Sequence, residues 1–67
     1  MDIIDVLSEK ISDELRDAMS YAKMAMDYRE KRPDLSHTLH GISQQELEHM
    51  RLLHDAAVEI IDECLKR

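Results

Sequence analysis

Only one place in this chain of 67 residues can hold a sharp turn, because it contains a single proline, Pro33, and a single glycine, Gly41. The one cluster of helix-breaking residues is Lys31-Arg32-Pro33-Asp34, near the midpoint. Proline fixes φ and drives the residue before it out of the helical region, so a helix must end just ahead of Pro33. Pro33 is then preset for the first turn of the next helix, with Asp34 at that helix's positive end. The expectation is one domain over 1–67, with a first helix over about 2–31, a turn over about 32–34 and a second helix over about 34–66. At ~1.5 Å per residue, each helix would run roughly 45 Å. Gly41 falls inside the second, where it costs about 1 kcal/mol relative to alanine. It marks a close helix contact, a local bulge, or tolerated variation.

Hydrophobic spacing supports two helices rather than strands. Ile4, Leu7, Ile11, Glu14, Ala18, Tyr21, Ala25 and Tyr28 follow alternating steps of three and four. Leu35, Leu39, Ile42, Glu46, His49, Leu53, Ala56 and Ile60 do the same in the second half. Such a seam belongs to an antiparallel bundle. Leu15, Ala22 and Met26 widen the first stripe, and Met50, Ala57, Ile61 and Cys64 widen the second. A stripe that broad contacts more than one neighbouring helix. The expected fold is all-α: an antiparallel hairpin that dimerises into a four-helix bundle, as a homodimer or a multiple of dimers.

Size makes a partner or a ligand the more needful, since so short a chain buries little alone. Cys64 is the only cysteine, so no internal disulfide can help, and a lone thiol suits a reducing compartment. The acidic start Met1-Asp2-Ile3-Ile4-Asp5 lacks the basic region of a signal peptide. No apolar run approaches the ~20 residues of a membrane span. The expected setting is the cytoplasm, or a compartment reached without a cleaved signal. A formal charge of −6 argues against nucleic acid, which demands a basic face.

The exceptions in the seam carry the chemistry. Glu14 in the first stripe, and Glu46 with His49 in the second, occupy positions where apolar residues are expected. A carboxylate among aliphatic side chains is unfavourable unless something neutralises it. Residues three apart on a helix share a side, so Glu46 and His49 can hold one ion together while Glu14 reaches in from the facing helix. A two-fold axis would double the set to four carboxylates and two imidazoles. Two divalent ions per dimer would balance that charge. Carboxylate and imidazole donors suit iron or manganese, with zinc a possible occupant.

These residues resemble those of the ferritin-like superfamily, and most of all the encapsulated ferritins, whose protomers are half-bundles. The likeness rests on Glu14 with Tyr21 two turns later, the turn Pro33-Asp34-Leu35, and the run Glu46-Leu47-Glu48-His49, so it covers about Asp13 to His54. It implies that Glu14 and His49 each bind an iron, that Glu46 bridges or chelates, and that Tyr21 hydrogen-bonds a ligand carboxylate. It also implies oxidation of Fe(II) by oxygen or peroxide. Departures are expected to matter. Nothing after Leu65-Lys66-Arg67 matches the shell-directing tail of encapsulated ferritins, and one cysteine cannot build the electron-transfer module of rubrerythrins. Cage storage of mineral is therefore not expected.

Several residues have plainer readings. His54, a turn beyond His49, is an outer candidate for orienting a ligand. His37 and His40 are expected to be exposed, Glu48 to be a solvated charge, Cys64 a small buried hydrophobe, and Met19, Met24, Met26 and Met50 adaptable core filler. Two further functions stay open. One is a non-enzymatic structural or interaction module, in which Glu14 and Glu46 make salt bridges or hydrogen bonds. The other is a structural metal site without oxidase activity.

Overall fold

A computed structural model describes residues 2–66; Met1 and Arg67 lie outside the described residues. Two helices, α1 (Ile3–Tyr28) and α2 (Pro33–Leu65), form an antiparallel hairpin of 56 × 18 × 10 Å. There is no strand among the described residues.

The ends of the helices follow local rules. Asp2 caps α1, its side chain accepting from the Ile4 N–H at 3.5 Å. α1 closes at Tyr28, three residues sooner than expected, and the turn covers 29–32. The Arg29 N–H donates to the Met26 carbonyl at 3.4 Å, tightening the last turn, and the Arg32 N–H donates to the Tyr28 carbonyl at 2.8 Å. Arg32 itself leaves the helical region (φ −140°, ψ 76°), as a residue before proline must. Its guanidinium lies 3.4 Å from Asp34 Oδ1, and that contact holds the Asp34 carboxyl below its usual range.

Small residues hold the two helices together. Ala18 and Ala25, seven apart on α1, are the only buried apolar residues described, at 2% and 6% exposure. Opposite them stand Ser43 and Ser36, also seven apart. The Ser43 hydroxyl donates to the Ala18 carbonyl at 2.7 Å, and the Ser36 hydroxyl donates to the Ala25 carbonyl. Each serine finds its acceptor across the interface, so its polarity is satisfied without water. Small side chains at heptad spacing let the helices approach closely.

Around this line the remaining seam residues of both stripes are half-buried, except Tyr28 and His49, which are exposed. No large side chain among the described residues is fully buried. The hairpin is one layer thick and has no enclosed core of its own.

Two expectations need correction. Cys64 is exposed rather than buried, because α2 has 33 residues against 26 in α1 and overruns it at the open end. Met19 and Met26 are also exposed, at 65% and 73%, while Met24 and Met50 are half-buried. The methionines therefore do not fill a protomer core, since each exposed one lies beside the Ala18–Ala25 line rather than on it.

Gly41 marks neither a contact nor a bulge. A Cβ added there would meet nothing within 4 Å, and α2 runs through it without interruption. Gly41→Ala should therefore raise stability by about 1 kcal/mol, the helix-propensity difference. That is roughly 4–8 °C in melting temperature for so small a domain. A lower melting temperature would show that position 41 faces a neighbour in the assembled protein.

Candidate metal centre

The close helix contact sets the site. Glu14 lies one turn before Ala18 on α1, and Glu46 lies three residues after Ser43 on α2, so the interface that buries Ala18 and Ser43 brings the two carboxylates together. His49 follows on the same side of α2. One ligand atom from each of Glu14, Glu46 and His49 lies within 4.8 Å of the other two. His49 Nδ1 stands 3.5 Å from Glu14 Oε2.

The electrostatics of this cluster are unresolved by protein atoms alone. Glu14 Oε2 is shut off from solvent and has no hydrogen-bond partner, whereas the His49 ring is 57% exposed. Glu46 has its carboxyl pushed above the ordinary value of 4.5, first by its hydrogen bond with Glu14, then by burial and the Glu14 charge. Asp17 adds to the rise, and His49 opposes it. Two ionised carboxylates have no proton to offer each other. Either Glu46 takes up a proton and shares it with Glu14, or a cation stands between them.

Arginine or lysine would be the ordinary solution, and the described residues do not use it. Arg16 pairs with Asp13 at 3.5 Å, and Arg51 pairs with Glu48 at 2.6 Å and with Asp55 at 3.0 Å. Lys66 pairs with Asp62. None of the ion pairs among the described residues joins Glu14 or Glu46 to a lysine or arginine. The donor set fits a divalent cation: two carboxylate oxygens and an imidazole nitrogen, one side open to solvent.

The other expected residues stand apart. Tyr21 is half-buried on the Glu14 side of α1 but hydrogen-bonds neither carboxylate among the described residues. His54 is exposed, and its Nδ1 lies 4.0 Å from Asp55 Oδ1 rather than near the cluster. Glu48 is a solvated charge paired with Arg51, which lowers its carboxyl below the usual range. His37 and His40 are exposed and line a separate groove near the turn. Ser36 and Ser43 escaped the reading of the sequence. The available signal was a heptad pair of serines beside the apolar seam, matching the heptad pair Ala18 and Ala25.

The raised pKa of Glu46 makes a prediction for protein stripped of metal. A carboxyl whose pKa is higher folded than unfolded contributes stability below its ordinary pKa, and that stability is lost as pH rises through the folded value. Metal-free protein should thus become more stable as pH falls from neutral toward the upper carboxylate range. Asp34 and Glu48, with lowered values, act oppositely, but only further down, as pH falls through their depressed range. Denaturant unfolding at neutral and mildly acidic pH tests this, with Glu46→Gln as the control that should flatten the rise. Equal slopes in the two proteins would mean that Glu46 is not the group responsible.

No protein family matches this chain, and neither does any curated protein or solved structure. The reading of the site therefore rests on its residues and geometry. No helix among the described residues is long and apolar enough to cross a membrane.

Proposed function

We propose that two hairpins pair across the Glu14–Glu46–His49 face into a four-helix bundle, and that the joined sites bind two iron ions and oxidise Fe(II). The observation that carries this reading is Glu14 Oε2, a buried oxygen with no donor, held 3.5 Å from His49 and beside the second carboxylate. A cation satisfies all three groups at once. A proton satisfies only the two carboxylates.

Glu14 and His49 would each supply one donor atom, and Glu46 would chelate or bridge. Pairing of two copies would cover the exposed edge of His49 and bring the second set of ligands opposite the first. Iron supplies the redox chemistry when bound. The chain's own part is to gather negative charge, which favours the higher-valent ion, and to leave coordination positions open for an oxidant. The order Glu14, Tyr21, Pro33-Asp34-Leu35 and Glu46-Leu47-Glu48-His49 supports the ferritin-like comparison, with Tyr21 free to donate across the dimer. Manganese or zinc would use the same donors without that oxidation, as a structural site.

The test is anaerobic addition of Fe(II) followed by air. The expected result is ferric absorbance that grows faster than in buffer and saturates near one ion per protomer, with the response lost in the Glu46→Ala, His49→Ala double variant. Equal rates in the two proteins would remove the enzymatic claim. Tight binding with no absorbance change would leave the structural metal site.

A further inference from the structure

An unneutralised charge stands beside the metal cluster. The Ser43–Ala18 and Ser36–Ala25 hydrogen bonds fix the register of the hairpin, each step up α2 being a step down α1. Glu46 is therefore level with Leu15, one residue from Glu14 and two from Asp17. Two residues are ~3 Å along a helix axis. His49 lies on the open-end side of Glu46, and Asp17 lies on its turn side. Asp17 is also three residues beyond Glu14, which sets both carboxylates on one side of α1. It stays outside the group of ligand atoms that lie within 4.8 Å of one another. Glu14 is half-buried, whereas Asp17 is exposed.

Its surroundings set Asp17 apart from the other acids nearby. Asp13 pairs with Arg16 at 3.5 Å, and Glu48 pairs with Arg51 at 2.6 Å. Asp17 makes no ion pair and no side-chain hydrogen bond among the described residues. Its charge nevertheless reaches the cluster. The Glu46 carboxyl is raised by its Glu14 hydrogen bond, by burial and by the Glu14 charge, and then by Asp17 from outside the three ligands. In metal-free protein that repulsion is unfavourable. For an approaching divalent cation the same charge is an attraction, and it extends beyond ligand distance until salt screens it. Charge of one sign beside a site raises both the local concentration of the opposite ion and its rate of arrival.

We propose that Asp17 is the capture residue of the cluster. Its exposed carboxylate draws a divalent cation from solvent toward Glu14 and Glu46, and the settled ion is held by Glu14, Glu46 and His49 without it. This rests on the metal-binding reading above and adds the route by which the ion arrives.

Stopped-flow uptake of Co(II), followed by the visible absorbance of the bound ion, tests it. At an ionic strength of about 0.01 M, where the screening length is ~30 Å, Asp17→Asn should slow uptake about 3- to 10-fold. At about 1 M, where that length is ~3 Å, the variant should match wild type. Asp17→Glu keeps the charge and should keep the wild-type rate, while Asp17→Lys should be slower than Asp17→Asn. Glu59→Gln removes one charge at the open end of α2 and should leave uptake unchanged. Asp17 and Glu59 are both exposed, so helix content by circular dichroism should not change. Titration should still saturate near one ion per protomer in every variant. Equal rates for wild type and Asp17→Asn at low salt would overturn the capture role and leave the cluster reading standing. A defect that persists undiminished at high salt would overturn it too, since it would mark Asp17 as a ligand or a structural residue. Wild type that takes up no cation would overturn both readings.

Discussion

Replacing Glu46 and His49 together by alanine should abolish the rise in melting temperature that a divalent cation gives the wild-type protein. A ligand that binds only the folded state stabilises it by about 2.7 kcal/mol when present at 100 times its dissociation constant. For a chain of this size that amounts to roughly 10–20 °C. Chelator should remove the increment from wild type and do nothing to the variant. The variant has a second expected property. Without metal at neutral pH it should be at least as stable as metal-free wild type, because it no longer forces two carboxylates together. A salt-bridged structural module predicts the reverse order, since there Glu46 would stabilise the fold by itself. Thermal melts of both proteins with and without chelator decide between the two.

Ala18→Leu should be the most damaging single change away from the cluster. Ala18 is 2% exposed and its carbonyl accepts from Ser43, itself 3% exposed, so the position has no room for three further carbons. Overpacking typically destabilises by about 1–3 kcal/mol, a large share of what a domain with so little buried surface can have. It should also weaken metal binding, because Glu14 sits one turn away and depends on the same helix spacing to reach Glu46. Ser43→Ala offers the contrast. It loses one hydrogen bond, worth about 0.5–1.5 kcal/mol, and leaves the helices in place. Denaturant unfolding with and without metal measures both. Wild-type stability in Ala18→Leu would mean that the helices do not meet closely at this point.

The residues themselves announce the two helices and their turn, because Pro33 is the only strong breaker and the apolar steps of three and four continue on either side of it. The grouping of Glu14, Glu46 and His49 is equally legible, since charged groups in an apolar stripe must meet whatever the stripe meets. Closer detail is not. α1 ends at Tyr28 rather than at Lys31 because backbone hydrogen bonds tighten its last turn, and composition carries no sign of that. The serines at the contact look like ordinary polar residues until the register places each against a carbonyl. Cys64 and the exposed methionines depend on which flank of a stripe points outward and how far α2 overruns α1. Spacing on one helix does not contain that information.

The central question is whether a cation sits between Glu14 and Glu46. Elemental analysis of protein purified without chelator, alongside its solution mass, addresses this most directly. The expected result is about one metal ion per protomer in a dimer or a multiple of dimers, falling to background in the Glu46→Ala, His49→Ala variant. Folded wild-type protein that stays free of metal after incubation with Fe(II), Mn(II) and Zn(II) would contradict it.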